Sequence, residues 1–446
     1  MGAVLASTGP LPCLRRVHYL AVLAVVILGM RWAQYLWPTS PTLKGQVVAI
    51  WLMYVGFVLV GLAWLLNSQR SSAAPLLRWF LGLLGLSWVG LMTISRVHSD
   101  SYNYTAYLVP VIILLIWLKP PTSRQAWTAM GAAGWSIVVM LVTTRLLEML
   151  GVLQVRDVPD WIDRFDRDRY WLPLSDVMGI DGRWPGPFGH NGHTAMAGAL
   201  LIVIAVAQWR RFSSPVFVVV GVFTLLLING RASIGAAFVG IAIMVLFSRQ
   251  AFLARIPTWL RLTAVAGGVL VLALALLQGA AGFTGRNSIW PAFFELWQTS
   301  PVIGVGTTGI EESTGLTLQF GHAHNLYLDV LTRQGFLGFT LVLAMLSLGT
   351  YIAFRAAVRG SAGPLAIVAA YLVLNLTEPR NDWIHPSVTG LIFLLSVLVA
   401  SACVTERRAV PSGVGEASSG TTCQEAKSRN SWTRGVSRES SSSSLG

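Results

Sequence analysis

Charged side chains are what this sequence has least of. Only 11% of its 446 residues are Asp, Glu, Lys or Arg, and 54% are hydrophobic before glycine is counted. An ordinary soluble domain carries about 25% charged residues, so a globule of this size would lack the polar surface that water requires. A soluble cytoplasmic enzyme is excluded. Acidic residues are the scarcer sign, 19 against 32 Lys and Arg, for a net charge of +13. That surplus does not point to nucleic acid, because the basic residues occur in ones and twos between apolar runs. Cysteine is scarce as well. Cys13, Cys403 and Cys423 form an odd, scattered set with neither metal-ligand spacing nor a disulfide framework.

What the chain has instead is apolar length. A helix needs about 20 mostly apolar residues to cross a bilayer, and about twelve such stretches can be read along the chain. They cover roughly 18–37, 46–66, 75–95, 104–118, 128–150, 192–208, 215–229, 232–247, 262–281, 328–354, 361–376 and 384–403. The run from Tyr19 follows Arg15-Arg16 as a signal peptide would, but it continues to about Trp37 without a small-residue cleavage site and is read as a retained first helix. The expected fold is an all-α integral membrane protein of about 12 transmembrane helices with two structured outer loops. By region this gives a cytoplasmic N-terminus (1–17), an N-terminal helical region (18–150), a first outer loop (151–191), central helices (192–281), a second outer loop carrying the motifs below (282–327), C-terminal helices (328–403) and a disordered cytoplasmic tail (404–446).

The short basic connections set the orientation. With the N-terminus in the cytoplasm, the inner loops hold Arg70 and Arg78, Lys119 and Arg124, Arg210 and Arg211, Arg249 with Arg255 and Arg261, and Arg355 with Arg359. The acids sharpen this assignment. Apart from Glu406, Glu416, Glu425 and Glu439 in the tail, all lie on the outer side or within spans. In the first outer loop Asp157 to Tyr170 alternates acids, arginines and aromatics as an amphipathic surface helix would. In the second, Arg286, Trp290, Phe293 or Phe294 and Trp297 recur at helical spacing before the turn-rich Ser300-Pro301 and Gly304-Val305-Gly306.

Polar residues that could have been apolar are the informative ones, since a charge at mid-bilayer costs at least about 2.5 kcal/mol on insertion scales. Four of the 7 histidines fall in two outer-side motifs, Gly186-Pro-Phe-Gly-His190-Asn191-Gly-His193 and Gly321-His322-Ala-His324-Asn325. Paired imidazoles can share a zinc ion, but no soft ligand or carboxylate accompanies them in sequence. Asp166 and Asp168 have the Asp-x-Asp spacing of a divalent-cation site, yet every Asp there has an Arg neighbour and reads better as a solvated face. No metal and no cofactor is expected. Arg145 and Glu148, at i,i+3, read as a structural pair. Arg231 and Arg286 stand out because they lie on the side where basic residues are disfavoured. Each could snorkel to headgroups. Together with an outer histidine they also suit one chemistry. A sugar leaving as a lipid pyrophosphate needs two phosphates stabilised, which planar arginine does without a metal. The attacking hydroxyl must lose a proton, which an imidazole can accept.

The order of motifs then resembles a known family. Gly230-Arg231-Ala-Ser233, Arg286-x-x-x-Trp290, Ser300-Pro301-x-x-Gly304-x-Gly306, His322-x-His324-Asn325-x-Tyr327-Leu328 and Gly335-Phe-Leu-Gly338 are similar to the bacterial O-antigen ligases and polymerases, with the strong matching over 183–340. The resemblance implies a multi-pass protein of the bacterial inner membrane with a periplasmic active site. Such an enzyme moves a glycan from undecaprenyl pyrophosphate to a lipid A–core hydroxyl, or to another lipid-linked glycan, without a metal. Carried over by position, Arg231 and Arg286 would contact the donor pyrophosphate and His324 would be the base or acceptor-orienting group. His322, Asn325, Trp290, His190, Asn191 and His193 would bind substrate. Gly192 departs from the family, which often has Asn there, and this weakens a catalytic part for His190 or His193. Ligase is preferred over polymerase because the compact Trp-bearing second loop suits a cap over two lipid substrates. A solute transporter is the alternative of another class, disfavoured by few mid-span charges and no inverted repeat.

Overall fold

The computed structural model describes residues 75–94, 120–152, 186–188, 191–209, 213–228, 230–247, 286–313, 322–376 and 388–406, with isolated positions elsewhere. Among the described residues every regular element is helical, and there is no strand. The helices are α1 (Pro75–Ile94), α2 (Ser123–Met149), α3 (Asn191–Ala207), α4 (Ser213–Ile228), α5 (Arg231–Phe247), α6 (Arg286–Gln298), α7 (Gly306–Ser313), α8 (Leu326–Val358), α9 (Gly363–Leu374) and α10 (Val388–Glu406), with a 3₁₀ turn at Gly186–Phe188. Eight of them coincide with expected spans. The expected spans 18–37, 46–66, 104–118 and 262–281 fall outside the described residues except at a few helical positions, as do the amphipathic segment Asp157–Tyr170 and the tail from Val410. Three helices, α2, α8 and α10, are long and apolar enough to cross a membrane, and α1, α3, α4, α5 and α9 contribute shorter apolar stretches.

Helix α3 is the centre. From Thr194 to Ala205 every residue is buried, and α2, α4, α5 and α9 pack around it. A helix apolar on all sides is stable only when it is enclosed or in lipid. Small residues set the spacing: a Cβ on Gly221 of α4 would strike the Gly198 carbonyl, and one on Gly240 of α5 would strike Val203 of α3. Close approach of this kind supplies van der Waals contact where apolar surroundings give no hydrophobic drive. The outward faces carry exposed Trp79, Leu86, Val139, Val142, Val219, Phe238 and Phe354. So much apolar surface around a bundle marks an interaction site, and lipid is the natural occupant for helices of this composition.

The two ends of the bundle differ. At one end Glu406, the last residue of α10, accepts the N–H of Ser123 at the start of α2 (2.8 Å), and Arg359 donates to the Val404 carbonyl (2.9 Å). Gly363 packs on Ala207 there, and Ser214 donates to the Gln208 carbonyl (2.6 Å). At the opposite end the Trp184 indole donates to Glu148 (2.7 Å), Gly186 abuts Thr194, Gly230 abuts Ala195, and the Leu326 N–H donates to the Asn375 carbonyl (2.9 Å). Arg145 lies 3.4 Å from Glu148, so this pair is structural as expected and is completed by Trp184.

Helix α8 is broken at Gly335 (φ 64°, ψ −167°). The break leaves backbone groups without partners along the helix, and the α6–α7 connection supplies them. Val305 donates to the Thr332 carbonyl (2.9 Å), while Phe336 and Leu337 donate to the carbonyls of Pro301 (2.8 Å) and Val302 (3.1 Å). The fit admits only glycine at both crossing points. A Cβ on Gly335 would collide with the Val302 carbonyl, and one on Gly304 (φ 75°) with the Arg333–Gln334 peptide. The Ser300-Pro301-x-x-Gly304 and Gly335 motifs are therefore two halves of one backbone interlock. A small core of Ile289, Phe293, Ile310 and Ala323 joins α6, α7 and the turn before α8.

Candidate functional site

The turn His322-Ala323-His324-Asn325 leads into α8 at the end of the bundle that also holds the start of α3. Asn325 is the helix N-cap: extended at φ −161°, it accepts the N–H groups of Tyr327 (3.0 Å) and Leu328 (3.1 Å) on its side-chain oxygen. Two of the orphan donors of a helix start are thereby satisfied. Ala323 is fully buried, and both of its backbone groups are held by side chains. Its N–H donates to Asp329 Oδ1 (3.3 Å), and its carbonyl accepts from Trp290 Nε1 (3.0 Å). The second oxygen of Asp329 accepts from Arg333 Nε (2.9 Å), and this ion pair is buried.

Between the Ala323 peptide and the Asn325 cap, His324 adopts φ +49°, the one positive φ at a non-glycine among the described residues. A left-handed backbone costs an L-residue about 1–2 kcal/mol, and strain of this sort is kept where the surroundings over-determine it, commonly at functional sites. The His322 ring lies 4.2 Å from that of His324, centroid to centroid, tilted by 54°. Both imidazoles are half-buried.

Of the other expected residues, the described ones lie on elements that reach this end of the bundle. Trp290 is brought directly onto the turn. Asn191 opens α3, where its side-chain oxygen accepts the Gly192 N–H (2.8 Å), and His193 is half-buried two residues on. Arg231 is the first residue of α5 and Arg286 the first of α6, one turn before Trp290. Their side chains, and His190 entirely, lie outside what the structure describes. Backbone register still places Arg231. Gly240 packs on the Ala366 carbonyl, and at 1.5 Å per residue both helices run about 12–14 Å from that crossing, which brings Arg231 level with Leu374 and Asn375. Asn375 in turn receives the Leu326 N–H.

Among the described residues no three His, Cys, Asp or Glu come together as a metal site. Asp329, the carboxylate nearest the histidines in sequence, is already committed to Arg333 and Ala323. Asp166 and Asp168 lie outside the described residues.

Asp329 and Arg333 are the pair that sequence reading passed over. Their i,i+4 spacing was a usable signal, because two opposite charges inside an apolar stretch are tolerated only when paired.

Residues 192–343 match a family model described as O-antigen ligase. No curated protein matches the chain. The matched stretch runs from α3 to the middle of α8 and contains His193, Arg231, Arg286, Trp290, His322, His324 and Asn325. The strained histidine turn lies near the far end of the segment 192–343, and it is this segment that is similar to the O-antigen ligase family.

Proposed function

We propose that this protein moves a glycan from undecaprenyl pyrophosphate to a hydroxyl of lipid A–core at the periplasmic face of the inner membrane. The observation that carries the reading is the left-handed His324, which follows an Ala323 peptide held by Asp329 and Trp290, at the end of the bundle where α5 begins with Arg231. His324 accepts the proton of the attacking hydroxyl. Arg231 and Arg286 bind the departing pyrophosphate, whose charge they match without a metal. His322, Asn325, Asn191, His193 and His190 contact the sugars or phosphates, and the Trp290 ring offers a face on which a sugar stacks. Asn325 does so through its amide nitrogen, its oxygen being used as the helix cap.

A polymerase of the same family would use the same residues on a lipid-linked acceptor. Deleting the gene separates the two. Under the ligase reading, lipid-linked polymer accumulates beside bare lipid A–core, whereas a polymerase deletion leaves single repeats on a capped core. Unchanged glycans with altered solute uptake would favour transport instead. Transfer by the purified protein is expected to persist in excess chelator. Loss with EDTA, restored by Mg²⁺ or Mn²⁺, would return Asp166 and Asp168 to consideration.

A further inference from the structure

We infer that Asp329, Arg333 and the indole N–H of Trp290 form a positioning clamp for His324, acting through the peptide groups of Ala323. The inference rests on His324 being the proton acceptor. Ala323 is gripped on both of its backbone groups, by Asp329 Oδ1 on the N–H (3.3 Å) and by Trp290 Nε1 on the carbonyl (3.0 Å). Its carbonyl belongs to the peptide bond that leads into His324. A hydrogen bond at that oxygen fixes the plane about which φ of His324 is measured, and φ there is +49°. Neither Asp329 nor Trp290 is free to drift. Arg333 Nε holds the second carboxylate oxygen (2.9 Å) from one turn along α8, and Trp290 sits on α6, which is tied to α8 by the Thr332 hydroxyl on the Phe293 carbonyl (3.2 Å). The same α8 backbone is locked one turn further on by the Gly335 interlock.

The clamp therefore runs from a rigid break in a long helix, through a buried ion pair, to one imbalanced dihedral at the reacting imidazole. Its consequence is kinetic: loosening it misaims the imidazole and lowers kcat, while substrate binding through the arginines, and so KM, stays the same.

Removing Asp329 alone would strand a buried cation and unfold the protein, so the charges must go together. Three variants are compared with the unsubstituted protein in detergent. The probes are lipid-linked polymer and lipid A–core prepared from the deletion strain, and thermal unfolding is measured alongside. Asp329→Leu with Arg333→Met removes both charges and the acceptor for Ala323. Asp329→Asn with Arg333→Gln removes the charges but keeps an acceptor oxygen. Trp290→Phe keeps an aromatic ring and removes the N–H, together with part of the indole that packs on the Ile289–Phe293–Ile310–Ala323 core.

The expected result is a fall in kcat of about tenfold or more at unchanged KM for the apolar pair, with the amide pair recovering most of the loss, and a comparable fall in kcat for Trp290→Phe, whose KM also reports the reduced stacking face. The inference is overturned if the folded apolar pair and Trp290→Phe keep kcat within about twofold, or if the amide pair falls as far as the apolar one. If neither pair folds, Trp290→Phe decides alone by the same limits. His324→Ala, measured beside them, separates the two readings: full transfer by that variant removes the base assignment itself, whereas its loss with an active clamp variant removes only the clamp.

Discussion

At the scale of single residues, His324 combines strain and chemistry at one position, and substitutions can take the two apart. Alanine and glycine both delete the imidazole, but only glycine occupies φ +49° without steric cost. His324→Gly is therefore expected to unfold later than His324→Ala, by about 1 kcal/mol in thermal or denaturant unfolding, while both lose glycan transfer. Equal stabilities would mean that the turn relaxes once the ring is gone. Its neighbour behaves differently. Asn325→Ala removes the cap from α8 at a cost of about 1 kcal/mol, and Asn325→Asp keeps the acceptor oxygen and restores it, so comparing the two melting points isolates the cap from any contact with substrate. Arg231→Ala and Arg286→Ala are expected to abolish transfer while the variant proteins still insert in the membrane. An active Arg286→Ala protein would confine pyrophosphate binding to Arg231.

Among the elements, α8 and the α6–α7 connection depend on each other for their backbone hydrogen bonds. Gly335→Ala forces a Cβ into the Val302 carbonyl at a positive φ, and is expected to cost more than about 2 kcal/mol. Gly304→Ala strikes the other side of the same crossing. Because either change opens the interlock, the double variant should unfold little earlier than the worse single one, and additive losses would show two independent sites. This interlock was not legible in the sequence. Eight helices were, since each is an apolar run bounded by polar or turn residues, and so was the helical period of Arg286, Trp290, Phe293 and Trp297. Gly335 stood out as part of a motif inside the expected span 328–354, but its break could not be read there because its backbone is decided by residues some thirty positions earlier. The start of α2 was readable but unused: Thr122 and Gln125 form a capping box, so the helix begins at Ser123 rather than near 128. At the site the same division holds. The histidine turn was visible as a motif, whereas the bonds from Trp290 and Asp329 to Ala323 join side chains to backbone, and such bonds leave no periodic trace.

The whole molecule is polar in two different ways at its two ends. The end with Gln208, Ser214, Arg359 and Glu406 closes on itself through helix-terminal hydrogen bonds, and its connections carry Arg210 and Arg211 after α3 and Arg355 and Arg359 around the end of α8. The other end gathers the histidine turn, the start of α3 and the start of α5, with the satellite core of α6 and α7 beside it. Basic connections are retained in the cytoplasm, so the first end should face inward and the second outward. Two exposed positions test this directly. Trp209 follows α3 at the basic end, and Glu312 lies on α7, whose Ile310 packs with Ala323 at the level of the turn. With the three native cysteines replaced, a membrane-impermeant thiol reagent applied to intact cells permeable only at the outer membrane should label Glu312→Cys at once. Trp209→Cys should react only after the inner membrane is opened. Labelling of Trp209→Cys alone would invert the protein and place the histidine turn in the cytoplasm, away from any periplasmic acceptor. Labelling of both from one side would mean that α3 does not separate two aqueous compartments, and the transferase reading would lose its topology while the geometry of the turn remained.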